Sequence, residues 1–102
     1  SAEKQISLTA NPVFLYMALF YGLDSCLHIL PANCEIRITP HEKNGKPSVE
    51  IACSGNDEPS AEDFFAGLKQ SPSWNELEDT LGQLNAELEK NNKTPGFFLV
   101  FK

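Results

Sequence analysis

The nineteen residues PVFLYMALFYGLDSCLHIL, Pro12 to Leu30, constrain this chain more than any other stretch, because they contain no charge before Asp24. Asn11 ahead of them is a good helix cap, and Pro12 suits the first helical position, where its missing N–H does no harm. Pro31 ends the run, since a residue before proline avoids the helical region. The pattern therefore predicts a helix over Pro12–Leu30. Val13 to Leu30 only just reaches the minimum of about 18 residues for a membrane span. Asp24, Ser25 and His28 fall in its second half, where a charge in lipid is costly. Glu3 and Lys4 do not form a signal leader either. A helix in the core of a globular domain is the expectation.

Such a helix needs an apolar surface to lie on, and the rest of the chain offers strands. Lys4 to Leu8 alternates and reads as a short edge strand. Cys34–Thr39 and Ser48–Cys53 alternate with period two, which puts Ile36 and Ile38 on one face and groups Val49, Ile51 and Cys53. Asn44-Gly45 between them is a tight-turn dipeptide, so the two strands form a hairpin. Glu35, Arg37, Thr39 and Glu50 make the other face polar, which predicts that it meets water.

Ser60 can cap a helix over Ala61–Leu68, and Ser73 with Glu76 has capping-box spacing for a longer one over Trp74–Asn91. In that second helix Leu77, Leu81, Leu84 and Leu88 would share one face. NNKTPG breaks it, and Phe97–Phe101 is a strand apolar on both sides, as central strands are. The predicted fold class is α+β: a two-layer sandwich, with a small mixed sheet and its helices on one face. With 102 residues, 41% of them hydrophobic, residues 1–102 make a single domain.

Charge and cysteine usage narrow the function. A formal net charge of -6 disfavours nucleic acid as a partner. Cys26, Cys34 and Cys53 are an odd set without close spacing, which reads as reduced, buried thiols and a cytoplasmic setting. A hairpin turning at Asn44-Gly45 brings Cys34 and Cys53 toward the same end. His28 and His41 lie far apart and no zinc spacing is present, so no metal site is expected.

YGLDSCLHILPANCEIRI, Tyr21 to Ile38, resembles the NLLDNAIKYTPPGGEIRI pattern of the histidine-kinase-like ATPase domain, also called the GHKL or Bergerat fold. Leu23-Asp24, Pro31 and Glu35–Ile38 match as written. VEIACS is similar to the strand leading to that family's DxGxG box, and Pro95–Phe101 to its closing strand. The resemblance implies a Bergerat-like sandwich and a place in bacterial two-component signal transduction, with ATP and magnesium as the ligands of active members.

This chain departs from the family at each ligand position. Ser25 stands where the magnesium-binding asparagine would be, and Tyr21 where an earlier asparagine of the same helix would be. Ser54 replaces the adenine-binding aspartate, while Asn56 and Glu58 replace glycines of its box. The phosphate turn survives only as TLGQL around Gly82. A serine hydroxyl is a shorter and weaker ligand than an asparagine carbonyl for a hard cation. Phosphates need open backbone N–H groups, and the acidic pair Asp57 and Glu58 would repel them. A polar stripe remains: Tyr21, Asp24, Ser25 and His28 recur at helical spacing, and with Ser54 they outline a vestigial pocket. The expectation is a catalytically inactive domain, without cofactor or metal, that binds a protein such as a receiver or a kinase dimerisation domain. The alternative is a divergent but active ATP-binding catalytic domain of a sensor histidine kinase.

Overall fold

The computed structural model describes residues 5–102. Helix α1 (Pro12–Leu27) leads into a hairpin of β1 (Glu35–Lys43) and β2 (Lys46–Ser54). Two short helices, α2 (Ala61–Leu68) and α3 (Trp74–Gln83), and a second hairpin of β3 (Ala86–Lys90) and β4 (Gly96–Phe101) follow. The strands lie in the order β1-β2-β4-β3, and all three pairings are antiparallel. The α+β two-layer class is as the sequence implies, and the 20 Å short dimension against 36 and 35 Å fits one sheet under one layer of helices. A mixed sheet was expected; a second hairpin in place of a crossover makes it antiparallel throughout the described residues.

Asn11 caps α1 as expected, its side-chain oxygen accepting from the amides of Val13 (2.9 Å) and Phe14 (3.4 Å). The helix stops three residues before Leu30. There the amides of Ile29 and Leu30 both donate to the Cys26 carbonyl, closing the last turn, and Asn33 takes a left-handed φ of 67° before β1 begins. Asn44 and Gly45 both have positive φ, 53° and 77°, the two-residue turn whose twist matches the strands it joins. Because that turn is so tight, β1 and β2 pair right up to Lys43 and Lys46 and run longer than the sequence suggests.

Two elements differ from expectation. The predicted edge strand falls partly on Lys4, outside the described residues, and Gln5–Leu8 are not a strand; Leu8 instead packs against the core without pairing. The predicted long helix over Trp74–Asn91 ends at Gln83. Asn85 adopts a left-handed φ of 53°, the conformation that terminates a helix, and the chain turns straight into β3. Leu88 consequently lies on the sheet, not on the helix with Leu77 and Leu81. The expected capping box is also absent: the Ser73 side chain makes no cap bond to the amides of α3.

Strand register sets the two faces. Ile36, Ile51, Cys53, Phe97, Leu99, Phe101 and Leu88 point toward the helices, with Ile51 opposite Phe97 and Leu99 opposite Leu88. Helix α1 crosses this face where Gly22 lets it come close: a Cβ there would lie 3.3 Å from Ile51 and 3.5 Å from the Phe97 ring. Phe64 and Leu68 of α2 and Trp74, Leu77 and Leu81 of α3 complete the core. The helix expected to be fully internal is not: Val13, Tyr16, Phe20 and Leu27 are 63, 70, 54 and 65% exposed and form an apolar stripe on its outer side.

Candidate functional site

The four helical residues of the vestigial pocket diverge as α1 turns. Ser25 is fully buried, and its Oγ has no hydrogen-bond partner among the described residues. Asp24 sits at the edge of the core and accepts a hydrogen bond from the Ser73 hydroxyl at the start of α3. His28, one turn later, is solvent-facing, with Nε2 3.8 Å from an Asp24 carboxylate oxygen. Tyr21 packs half-buried against the core and meets the Phe20 ring edge-on at 5.7 Å. Asp24 and His28 thus form an exposed i,i+4 pair, while Ser25 faces the interior.

Ser54 is not brought to them. It is the last residue of β2, opposite Glu35, and since Cys53 points to the helices Ser54 points to the other face of the sheet. Asn56 and Glu58 follow it in an exposed loop. Gly82, in the TLGQL stretch, is the second-last residue of α3, and nothing lies within 4 Å of where its Cβ would be. The surrounding helix is continuous through Gln83, so its amides are committed to helical bonds and do not form an open phosphate turn.

The thiols are arranged otherwise than expected. The hairpin register pairs Cys53 with Ile36, so Cys34 comes opposite Gly55 rather than Cys53; a Cβ on Gly55 would be 2.8 Å from the Cys34 sulfur. The thiol beside Cys53 is Cys26 of α1. A hydrogen bond with Cys53, reinforced by burial, holds the Cys26 thiol far above its ordinary pKa and therefore protonated. All three cysteines are free.

On the opposite face of the sheet, register assembles a cluster that the sequence did not announce. Phe98 is its centre: Lys43 Nζ lies 4.2 Å from the ring centroid and His41 meets the ring edge-on at 5.9 Å. Around it, His41 Nε2 is 2.8 Å from Glu50 Oε1, Asn91 donates to Glu50 Oε2 at 3.4 Å, and Lys43 pairs with Glu89 at 3.1 Å. These groups come from all four strands or their ends, so only the pairing brings them together. The alternation of Ala86, Glu87, Leu88 and Glu89 was the available signal, and it was masked by the leucine spacing that runs on from α3. The cluster shields an aromatic ring on the water-facing side.

Two concavities lie away from Tyr21, Asp24, Ser25, His28 and Ser54, although Gly82 lines the first and Asn91 the second. A groove of about 430 Å³ lies between α2, α3 and β3, and a smaller one of about 190 Å³ lies beside Lys90. Among the described residues no helix is long and apolar enough to cross a membrane, and no group of three or more His, Cys, Asp or Glu side chains is placed to hold a metal ion. Comparison with protein-family models, with curated proteins and with solved structures found no match.

Proposed function

We propose that this chain is a catalytically inactive, histidine-kinase-like domain that acts in the cytoplasm by protein contact, as a docking or regulatory module in bacterial signal transduction. The observation that carries the reading is the outer side of α1. Val13, Tyr16, Phe20 and Leu27 form an exposed apolar stripe on a molecule of net charge -6, and a contiguous apolar surface of this kind marks a protein-interaction site. An apolar helix face suits another helix, as a receiver or a kinase dimerisation domain would present.

Loss of the nucleotide rests on Ser25, Asp24 and Ser54. The residue in the place of the magnesium ligand is buried, its neighbour Asp24 is engaged by Ser73, and the residue in the place of the adenine ligand points to the other face of the sheet. Each lost charge-assisted contact costs about 1.5–3 kcal/mol, and two would move a micromolar site to roughly millimolar.

Calorimetry with magnesium and ATP, with ADP and GTP as controls, tests the first half; no saturable binding at millimolar nucleotide is expected. Binding tighter than about 100 μM that is lost in Asp24→Asn would favour the active-kinase alternative. The second half is tested by titrating receivers and dimerisation domains against the chain and its Tyr16→Glu, Phe20→Glu variant. Binding by the parent that the variant loses supports docking through α1, and no binding to either class overturns it.

A further inference from the structure

Among the described residues the sheet has two free edges, and they are built differently. In the β1–β2 hairpin the pair flanking a two-residue turn, Lys43 and Lys46, exchanges its backbone bonds, so by alternation the residues of β1 that face outward are the even-numbered ones. Pro40 is one of them and removes a donor from the outward row, a device that blunts an edge. On β3 the alternation is anchored at both ends: the Lys102 amide donates to the Asn85 carbonyl at 3.3 Å and the Asn91 amide to the Gly96 carbonyl at 3.1 Å. Asn85, Glu87, Glu89 and Asn91 therefore spend their backbone groups on β4, and Ala86, Leu88 and Lys90 turn theirs outward. No proline interrupts that row.

Those outward residues also carry their side chains toward the helices, where the 430 Å³ groove begins. Leu88 forms one wall, Phe65 and Trp74 the far side, and Leu81 part of the floor, while Lys69 and Glu78 stand at the rim. In an antiparallel hydrogen-bonded pair the opposing residues project to the same face. A strand added to β3 would thus aim the side chain opposite Leu88 into the groove. We infer that the β3 edge and this groove form a binding site for an extended peptide segment that adds antiparallel to β3 and places one aliphatic side chain between Leu88 and the Phe65–Trp74 pair.

Charge specifies the flanking positions. Residues on either side of the buried one would oppose Glu87 and Glu89, whose Oε1 atoms hold Lys102 at 2.7 Å and Lys43 at 3.1 Å; each carboxylate keeps its other oxygen for a cation of the peptide. The residue opposite Lys90, which lies over the Phe65 ring beside Lys69, would be acidic. The peptide pattern is acidic, basic, aliphatic, basic, read from its N-terminus. A second copy of the chain fits poorly, because two β3 edges paired about Leu88 would set Glu87 against Glu89 of the other copy at both flanking positions. This site is separate from the α1 stripe and shares with the nucleotide positions only the TLGQL stretch, whose Gly82 lines the groove; because that stretch is closed helix and not an open phosphate turn, peptide binding and nucleotide binding are read independently.

The probe is a fluorescein-labelled heptapeptide whose central five residues are glutamate, lysine, leucine, lysine and threonine, with threonine at both ends, measured by fluorescence anisotropy. Saturable binding in the range of about 10–100 μM is expected, and methylating the backbone nitrogen of the central leucine should weaken it about tenfold or more by removing a ladder bond. On the protein side, Gly82→Phe fills the groove from a helix position with open space around it, and should also cost about tenfold or more. Circular dichroism of this variant should match that of the parent, and Leu88→Pro, which deletes an outward donor, should likewise weaken binding about tenfold or more. Absence of binding to the unmethylated peptide at about 1 mM, or binding that ignores both the N-methyl group and Gly82→Phe, overturns the proposal. A sedimentation-detected dimer that Gly82→Phe dissociates, with no peptide binding, would likewise overturn it and give the edge to a second copy.

Discussion

The Ser73 hydroxyl donates to the Asp24 carboxylate across 49 residues of sequence, tying the start of α3 to the last turns of α1. This is the contact that diverts Ser73 from capping its own helix, and it gives Asp24 a structural partner at the position that the family resemblance places beside a metal ligand. A hydrogen bond to a charged group is worth about 1.5–3 kcal/mol when buried. Asp24 is partly exposed, so Asp24→Ala and Ser73→Ala should each cost about 1 kcal/mol in urea unfolding. In a double-mutant cycle the two losses should not add, with a coupling of about 1 kcal/mol. Fully additive losses would mean that the two side chains do not act together.

Leu81 and Gln83 test which side of α3 packs inward. Leu81 is 4% exposed and belongs to the core, whereas Gln83 is exposed. Truncating Leu81 to alanine should destabilise the domain by about 2–4 kcal/mol. The same change at Gln83 should stay within about 0.5 kcal/mol. Equal effects would place the wrong face of the helix in the core.

The elements legible in the sequence are those whose signals are local. Asn11-Pro12 fixes the start of α1, Ser60 that of α2, whose Oγ accepts from the Asp63 amide at 3.1 Å, and Asn44-Gly45 the first hairpin. What escaped was non-local. Leu77, Leu81, Leu84 and Leu88 keep helical spacing across Asn85, and only the left-handed conformation of that asparagine, together with pairing of Leu88 to Leu99, reveals the strand. The candidate site failed for a related reason: Tyr21, Asp24, Ser25 and His28 share helical spacing, but Ser25 goes to the core and His28 to solvent, a split that depends on where α3 and the sheet press on α1.

Gly96 and Gly82 are a contrasting pair. A Cβ on Gly96 would sit 2.6 Å from the Ile51 carbonyl oxygen and 3.1 Å from the Ala52 Cα, both backbone atoms of the neighbouring central strand. Gly96→Ala should therefore force β2 and β4 apart and cost about 1–3 kcal/mol. Gly82 lies in a helix with open space beside it, so Gly82→Ala should leave stability unchanged or raise it by up to about 1 kcal/mol. Thermal unfolding of the two variants should shift the midpoint down for the first and not for the second.

The buried thiol pair predicts a pH dependence with a definite sign. Cys26 is held protonated in the folded domain by its hydrogen bond with Cys53 and by burial, while in the unfolded chain it ionises near its ordinary value of 9.0. The unfolded state therefore loses a proton that the folded state keeps as pH passes that value, and the stabilisation present below it is lost as pH rises further. The same hydrogen bond lowers the Cys53 pKa, so the folded pair gives up one proton early and the fall sets in only above 9.0, where the unfolded pair holds fewer protons than the folded one. Urea unfolding of the parent should show stability falling from about pH 9.5 to about pH 10.5, and Cys26→Ala should flatten that slope even though it opens a small cavity. The same geometry orders the thiols by reactivity: Cys34 is half-exposed, whereas Cys26 and Cys53 are buried. Under native conditions an alkylating agent should modify Cys34 first, with Cys26 and Cys53 reacting only when urea is added, as read by mass spectrometry of the digested protein. An equally steep slope in Cys26→Ala would show that some other group titrates, and early labelling at Cys26 would show that α1 does not stay packed on β2.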